Sequence, residues 1–153
     1  MIVVSPASGG SVIRFRQSGP GSLSGGVGGW EAVARSRRSE ASEWVGTPAL
    51  VWTVPLVLGD GRSSIESDLR TFLSWGLPRA GGRDPVRVSI GGDALPFGRN
   101  LVWVINEAVR EEDGLLIRNA ARERVQQRVT VTFRQYVEAS VVRGPASKSK
   151  AGR

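Results

Sequence analysis

The side chains that could carry acid–base chemistry are few, because the 153 residues include no histidine and no cysteine. That composition excludes thiolate nucleophiles, disulfides, His-based triads and zinc sites built on imidazole or thiolate. Acid–base work would fall to lysine, to Tyr136 or to carboxylates. The carboxylates nearest one another in the chain are Glu40 with Glu43, Glu66 with Asp68, and Glu111-Glu112-Asp113. None forms a separated facing pair, so we predict no catalytic residues, no cofactor and no metal site, and a protein that is not an enzyme.

Positive charge is the second chemical feature of the chain. Lys and Arg number 21 against 14 Asp and Glu, which gives a net charge of +7. Such a balance favours acidic partners such as nucleic acid, an anionic membrane or an acidic protein surface, although a basic surface without a dedicated anion site is at least as good an interpretation. The side chains predicted to contact a partner are Arg35, Arg37, Arg38, Arg128, Arg134, Tyr136, Arg143, Lys148, Lys150 and Arg153.

A basic nucleic-acid-binding module is the alternative function that this charge suggests. It would use the arginines at 35–38 and the C-terminal tail, and its binding would weaken with salt. However, Trp52, Trp75 and Trp103 lie among apolar rather than basic residues. That setting is typical of a core or an interface and not of a base-stacking platform.

The element that best positions these side chains is a strand predicted over residues 124–137. Its apolar residues fall at odd positions, namely Val125, Val129, Val131, Phe133 and Val137. A period of two is typical of a strand with one face on a core. The opposite face carries Thr130, Thr132, Arg134 and Tyr136. We expect this face to meet water or a partner, with Arg128 and Arg134 available to acidic groups.

A second strong strand is predicted over residues 49–58. The apolar residues on one face are Leu50, Trp52, Val54, Leu56 and Leu58. Val51 and Val57 on the other face indicate that the strand is covered on both sides. Pro55 has no N–H to donate, so an edge position or a bulge is expected near it.

One amphipathic helix is predicted at about 63–76. Ser63 followed by Glu66 has the spacing of an N-cap with a capping box. An apolar stripe follows at Ile65, Leu69, Phe72 and Leu73. Gly76 and Pro78 end the helix.

The remaining segments complete a fold that we assign to the α+β class and expect to be mainly β. Shorter strands are predicted at 2–4, 11–16, 30–35, 86–90 and 101–110, the last of these antiparallel to 124–137. The architecture would be an antiparallel sheet or barrel-like sandwich with the helix packed on it. We divide the chain into an N-terminal region with strands and a glycine-rich arm (1–29), a β-rich core domain (30–140) and a basic tail (141–153).

The glycine-rich stretch at 18–29 is predicted to be a flexible loop. A phosphate-binding loop is disfavoured, because no Gly-Lys-Ser/Thr sequence follows. No apolar run approaches the ~18 residues that a membrane span needs, and the N-terminus lacks a signal-peptide pattern. We therefore expect a protein that is soluble or held by other proteins, with no membrane partner.

A series of spaced motifs resembles the N-terminal domain of the LysM-type baseplate or tail-hub proteins of phage tails and contractile injection systems. The motifs are Gly29-Trp30-Glu31, Glu43-Trp44-Val45-Gly46-Thr47-Pro48, Ser64-Ile65-Glu66-Ser67-Asp68-Leu69-Arg70, Pro85-Val86-Arg87-Val88, Trp103-Val104-Ile105-Asn106 and the strand at 124–137. Together they cover roughly residues 29 to 138. A short basic tail stands here in place of the LysM module.

The resemblance implies a structural adaptor that joins the tail tube or central hub to surrounding baseplate proteins. It implies several symmetry-related copies, with six-fold symmetry favoured, in the distal tail of a virion and in the host cytoplasm during assembly. Tube, hub and wedge-type subunits would be the partners. The arms at 1–29 and 139–153 would dock on neighbouring subunits, for which strand augmentation is a suitable mode.

Overall fold

The computed structural model describes residues 1–113 and 115–138. Strands make up 47% of the residues and helices make up 9%, which confirms the predicted α+β, mainly β class. The elements are β1 (Ile2–Pro6), β2 (Ile13–Gln17), β3 (Ser22–Ser24), β4 (Trp30–Arg35), β5 (Arg38–Trp44), β6 (Val51–Leu58), α1 (Glu66–Ser74), a 3₁₀ turn (Ala80–Gly82), β7 (Val88–Gly92), β8 (Trp103–Glu111), β9 (Ile117–Arg118) and β10 (Arg124–Gln135). The tail from residue 139, with Arg143, Lys148, Lys150 and Arg153, lies outside the described residues.

Six antiparallel strands form a ring in the order β6-β2-β1-β7-β8-β10, and β10 pairs back with β6. β3 extends the sheet along β6, and β9 extends it along β10. The predicted antiparallel partnership of the 101–110 and 124–137 strands is confirmed as the β8–β10 pair. A sheet that returns on itself leaves few unpaired edges, so the barrel satisfies its own backbone hydrogen bonds.

The core fills the inside of this ring with alternate residues from each strand. On β10 the predicted inward residues Val125, Val129, Val131 and Phe133 are all buried, and on β6 Trp52, Val54, Leu56 and Leu58 are buried as well. β6 and β10 lie side by side from Gln127↔Leu58 to Arg134↔Val51. Val57 on the other face of β6 is also buried, which agrees with the expectation that this strand is covered on both sides.

Two odd-numbered residues of the strand predicted at 124–137 do not follow its pattern of buried apolar residues. β10 ends at Gln135, and Val137, predicted to be in the core, is 65% exposed because the ladder has stopped before it. Gln127 is only 1% exposed although it is polar. Its Nε2 donates a hydrogen bond to the Glu111 carbonyl at 3.4 Å, while its Oε1 has no hydrogen-bond partner within the described residues.

Pro55 lies within a strand that is paired on both sides, so the predicted edge position is wrong. On one side Pro55 is opposite Thr130 of β10. On the other side β2 pairs only with Leu56 and Val57, and β3 pairs only with residues 51–53. The proline therefore sits where the neighbouring strand is interrupted, and a missing N–H costs least at such a point.

Helix α1 covers the weakest part of the ring. β7 and β8 share a single register pair, Val88↔Trp103. The predicted stripe of α1 faces the core, and the Phe72 ring meets Phe15 of β2 edge-on at a centroid distance of 4.9 Å. At its C-terminal end, Gly76 lies against Ile105 of β8. The helix thus bridges strands on both sides of the β7–β8 seam.

The start of α1 differs from the predicted capping box. The helix begins at Glu66, and its N-cap is Ile65, which makes no side-chain cap hydrogen bond. The Glu66 carboxylate instead accepts hydrogen bonds from the Arg124 backbone N–H at 2.9 Å and from Arg124 Nη1 at 3.2 Å. Ser63 only donates its backbone N–H to Asp60 Oδ1. Locally, Ser64 Oγ accepts a hydrogen bond from the Glu66 backbone N–H at 3.4 Å. The contact with the first residue of β10 thus takes the place of the predicted box between Ser63 and Glu66.

The three tryptophans predicted to lie in a core or an interface, Trp52, Trp75 and Trp103, are buried in the core. Trp52 and Trp103 close one end of the barrel, where Phe97 packs against both at centroid distances of 5.0 and 4.7 Å. Trp75 follows α1 and is also buried. Within the described residues no helix is both long enough and apolar enough to span a membrane.

The N-terminal boundary that we drew at residue 29 differs from the observed organisation. β1 and β2 are strands of the ring, and Ile2, Val4, Ile13 and Phe15 are buried in the core. The segment that lies outside the barrel begins later, after β3. Its strands β4 and β5 form a separate two-stranded sheet.

Candidate interface: the arm

Residues 25–49, termed the arm, continue the β3–β6 pair away from the barrel as a two-stranded ribbon. The last pair at the barrel is Ser24↔Val51. The ladder proceeds outward through Gly26 N–H to Pro48 O at 2.8 Å and Val45 N–H to Gly29 O at 2.7 Å. β4 and β5 then pair as a hairpin in which every residue is exposed except Ala41, which is half-buried. At about 3.3 Å per residue, the six residues of β4 alone extend for about 20 Å.

Glycines allow the two chains of the arm to approach closely at its root. Gly25 has φ 83°, and a Cβ there would lie 2.0 Å from the Ala49 carbonyl oxygen. Gly29 has φ 106°, and a Cβ there would lie 2.2 Å from the Gly46 oxygen. Only glycine fits both the backbone angle and the space. The stretch predicted as a flexible loop therefore contains β3 and the paired root of the arm.

One face of the arm, termed the tryptophan face, is apolar and uncovered. Trp30 is opposite Trp44, and Ala32 is opposite Ser42. Trp30 is 67% exposed and Trp44 is 56% exposed. Large exposed aromatic groups that cluster on one surface are typical of an interaction site. More than half of each tryptophan is left uncovered.

The opposite face, termed the charged face, pairs like charges across the strands. Glu31 is opposite Glu43, and Arg35 is opposite Arg38, with Val33 and Ala41 between them. Like charges directly opposite one another destabilise an antiparallel pair. The two ion pairs found in the described residues, Arg124–Glu66 and Arg128–Asp113, both lie on the barrel. The charges of this face therefore do not stabilise the hairpin that carries them.

The predicted partner-contact residues fall into separate places. Arg35, Arg37 and Arg38 come together at the tip of the arm, with Arg37 in the turn at φ 58°. This exposed run forms the end of the hairpin. Arg35 uses its Nε to hold the Ser39 carbonyl at 3.0 Å.

The predicted residues of β10 are less available than expected. Arg128 forms an ion pair with Asp113, so it is not free for an acidic partner as predicted. Tyr136 accepts a hydrogen bond at its hydroxyl from Arg87 Nη2 at 2.8 Å, and the same guanidinium lies 4.0 Å from its ring centroid. Arg134 is exposed and pairs with Val51 at the root of the arm. Of the three, Arg134 alone is placed as the sequence suggested.

The threonines between these residues are also held within the barrel. Thr132 and Thr53 share a hydrogen bond between their hydroxyls at 3.2 Å. Thr130 Oγ1 donates to Glu111 Oε1 at 3.1 Å. The outer face of β10 is thus largely a network with β6 and β8, which leaves the arm as the stronger candidate interface.

Among the carboxylates considered for catalysis, Glu66, Glu111 and Asp113 have structural partners, and Glu40 and Glu43 lie on the arm. Glu66 binds Arg124, and Asp113 binds Arg128. A cleft of about 370 Å³ is lined partly by Asp60 and Asp68. Backbone N–H groups of Arg62 and Ser63 that donate to Asp60 hold its pKa below the usual value. A lowered pKa keeps the group ionised, which is the opposite of what a general acid needs.

Sequence reasoning missed β5, and with it the pairing that defines both faces of the arm. One sequence pattern could have revealed it. Trp30-Glu31 and Glu43-Trp44 are mirror images about Arg37, as expected for residues that face one another across a hairpin. Short polar strands that bury nothing lack the apolar alternation on which strand prediction depends.

No protein-family model matches this chain, and no curated protein sequence matches it either.

Proposed function

We propose that this protein is a non-enzymatic structural component of a phage tail baseplate or hub, or of a related contractile injection system. It would act as an adaptor between the tail tube or central hub and surrounding baseplate proteins. The observation that carries the proposal is the arm, which presents two exposed tryptophans on a ribbon that contributes nothing to the core. The spaced motifs that resemble the tail-hub family lie on both the arm and the barrel, and this supports the same function.

The tryptophan face would supply most of the affinity for a neighbouring subunit. Each tryptophan offers roughly 200 Å² of surface, and more than half of it is exposed on Trp30 and Trp44. Covering that surface at about 25 cal/mol per Å² contributes on the order of 5 kcal/mol before the cost of ordering the partners. Exposed ion pairs contribute about 0 to 1 kcal/mol each. The charged face would therefore set orientation more than strength.

The barrel and the arm have complementary tasks in this proposal. The barrel, closed by its ring of strands and by α1, is the rigid body that each copy contributes. The arm reaches out to the tube, hub or wedge-type subunit beside it. Several copies, with six-fold symmetry favoured by the resemblance, would surround the tail axis in the virion.

The arm gives no advantage to the nucleic-acid alternative. It carries Arg35, Arg37 and Arg38, and it also carries an equal number of glutamates, Glu31, Glu40 and Glu43. Its charges cancel, whereas phosphate binding depends on a net positive surface. We therefore retain the structural function as the proposal.

The test is a double substitution, Trp30→Ala with Trp44→Ala, in a phage or injection-system locus that encodes this protein. We expect the content of the variant in purified particles, measured by quantitative mass spectrometry, to fall at least tenfold. Circular dichroism and thermal unfolding of the isolated variant should match those of the wild type. Leu77→Ala is the control, because Leu77 is 59% exposed but lies on the barrel side of the molecule.

Two outcomes would contradict different parts of the proposal. If the double variant enters particles as well as the wild type does, the arm is not the attachment site. If the wild-type protein is absent from purified particles, the tail function itself is wrong.

A further inference from the structure

The charges on the charged face of the arm are ordered so that a second copy of this face, running in the opposite direction, would place opposite charges in contact. Along the ribbon from root to tip it presents the pair Glu31 and Glu43, then Val33 and Ala41, then the pair Arg35 and Arg38. Same-face neighbours on a strand are about 7 Å apart, so the two charged pairs are separated by roughly 14 Å. The apolar pair lies between them, two residues from the glutamate on each strand. A register shift after Val33 places Arg35 two residues beyond Val33 on β4 and Arg38 three residues beyond Ala41 on β5.

We propose that this face pairs with the same face of a second copy of the protein, about a two-fold axis that passes near Val33 and Ala41. In that arrangement the two ribbons run in opposite directions. The glutamates of each copy lie against Arg35 and Arg38 of the other, and the apolar pairs meet at the centre. Such an interface is isologous, since the same residues contribute from both sides.

A second copy satisfies this face better than a partner of one charge. An acidic surface would attract the arginines but would meet Glu31 and Glu43 with repulsion. A basic surface would have the reverse problem. The required partner must carry both signs, in the opposite order and at the same spacing, and the reversed arm has all three properties. It also relieves the like-charge repulsion that each hairpin otherwise bears.

The pairing is expected to be weak and sensitive to salt. A single face of one hairpin is smaller than the ~800 Å² per partner of a standard stable interface. Exposed ion pairs are screened within about 8 Å at physiological ionic strength. Dimers should therefore form at high protein concentration in low salt and dissociate as salt is added.

A two-fold contact closes on itself and does not build a ring. If the protein assembles into a ring, this contact would therefore link the arms of two free molecules before they enter the ring. The tryptophan faces would point outward on that dimer. That consequence rests on the proposed tail function. The pairing itself depends only on the charges of the arm.

The test uses the full chain and charge reversal, with sedimentation velocity over a concentration series at low salt. One variant is Glu31→Arg with Glu43→Arg, and a second is Arg35→Glu with Arg38→Glu. Each places like charges in contact across the axis, so each should lower the self-association constant at least tenfold. An equimolar mixture of the two should associate again, because each supplies the charges that the other needs.

A fourfold variant with both sets of substitutions provides the internal control. Its charge order is simply reversed, so it should pair with itself as the wild type does. Its recovery would also exclude a hairpin that has failed to form. A control variant, Arg14→Glu with Arg70→Glu, changes the net charge by the same amount as Arg35→Glu with Arg38→Glu, but at exposed residues of the barrel. It should leave self-association unchanged.

The proposal is overturned if the wild type stays monomeric at millimolar concentration in low salt, or if the fourfold variant is as dissociated as the double variants. The Trp30→Ala, Trp44→Ala variant should still dimerise, because its substitutions are on the other face. If a charge variant no longer pairs but still enters particles, pairing is not required for assembly. The proposed tail function is not affected by that result.

Discussion

The barrel and the arm are both antiparallel β-structure, yet they place tryptophan in opposite environments. Trp52 and Trp103 are 1% and 0% exposed inside the ring, whereas Trp30 and Trp44 are 67% and 56% exposed on the ribbon. A ring strand has a partner on both sides and a core beneath it. A two-stranded ribbon has neither a core nor a third strand, and it is marginally stable alone. The arm therefore depends on the barrel for its form and leaves more than half of each of its tryptophans exposed.

The two regions also differ in how they pair charges. The barrel places Arg124 against Glu66 and Arg128 against Asp113. The arm places glutamate opposite glutamate and arginine opposite arginine. Charge in the barrel forms ion pairs within the fold, whereas the charged residues of the arm lie opposite residues of the same sign.

The largest expected difference in the free energy of unfolding is between replacing a buried tryptophan and replacing an exposed one. Trp103→Ala removes a fully buried ring and should lower the free energy of unfolding by about 3 to 5 kcal/mol. Trp30→Ala should change it by less than about 0.5 kcal/mol. Urea denaturation followed by circular dichroism measures both, and Trp103→Phe serves if the alanine variant does not fold. Equal losses would show that the arm is part of the cooperative core.

A smaller effect compares the two kinds of charge pairing. Glu66→Ala leaves the Arg124 backbone N–H and guanidinium without their acceptor, and should cost about 1 to 2 kcal/mol. Arg38→Ala removes a like-charge opposition and should leave stability unchanged within about 0.5 kcal/mol. Both are measured by urea denaturation.

Ser63→Ala is the matched control for the helix start. This substitution should leave the free energy of unfolding nearly unchanged, because Ser63 does not cap α1. A loss of about 1 kcal/mol in this variant would instead favour the capping box predicted from the sequence.

The smallest effect concerns pH and Asp60, at the turn after β6. Its folded pKa is lowered by the backbone N–H groups of Arg62 and Ser63, so the ionised form favours the folded state. This stabilisation is present above the unfolded pKa of about 3.9 and is lost as the pH falls through the folded value. Asp60→Asn should flatten the decline of stability between about pH 4 and pH 2. An unchanged slope in urea titrations would contradict this role.

Several features could be predicted from the sequence because their causes are local. The alternation along β6 and β10 identified their inward faces, and the spacing of Ile65, Leu69 and Phe72 identified the buried side of α1. Each of these depends on neighbours within a few residues.

Other features escaped because the deciding contact is distant in sequence. Glu66 had the spacing of a capping residue, yet Arg124 engages it from 58 residues away. Arg128 looked available on an outer face, yet Asp113 neutralises it. Pro55 suggested a sheet edge, but a gap between β2 and β3 supplied the break. Local propensity cannot anticipate which residue the fold will bring into contact.

The sequence by itself determined a mainly β chain with one helix, a buried face on its two longest strands, and the absence of histidine and cysteine chemistry. Only the tertiary structure decided that six strands form a ring and that residues 25–49 leave it as an arm. The reason is physical: burial follows from the polarity of each residue and its period along the chain, whereas strand partners are chosen by non-local pairing. Trp30 and Trp103 have the same side chain, and only their pairing partners determine that one lies in the core and the other is exposed on the arm.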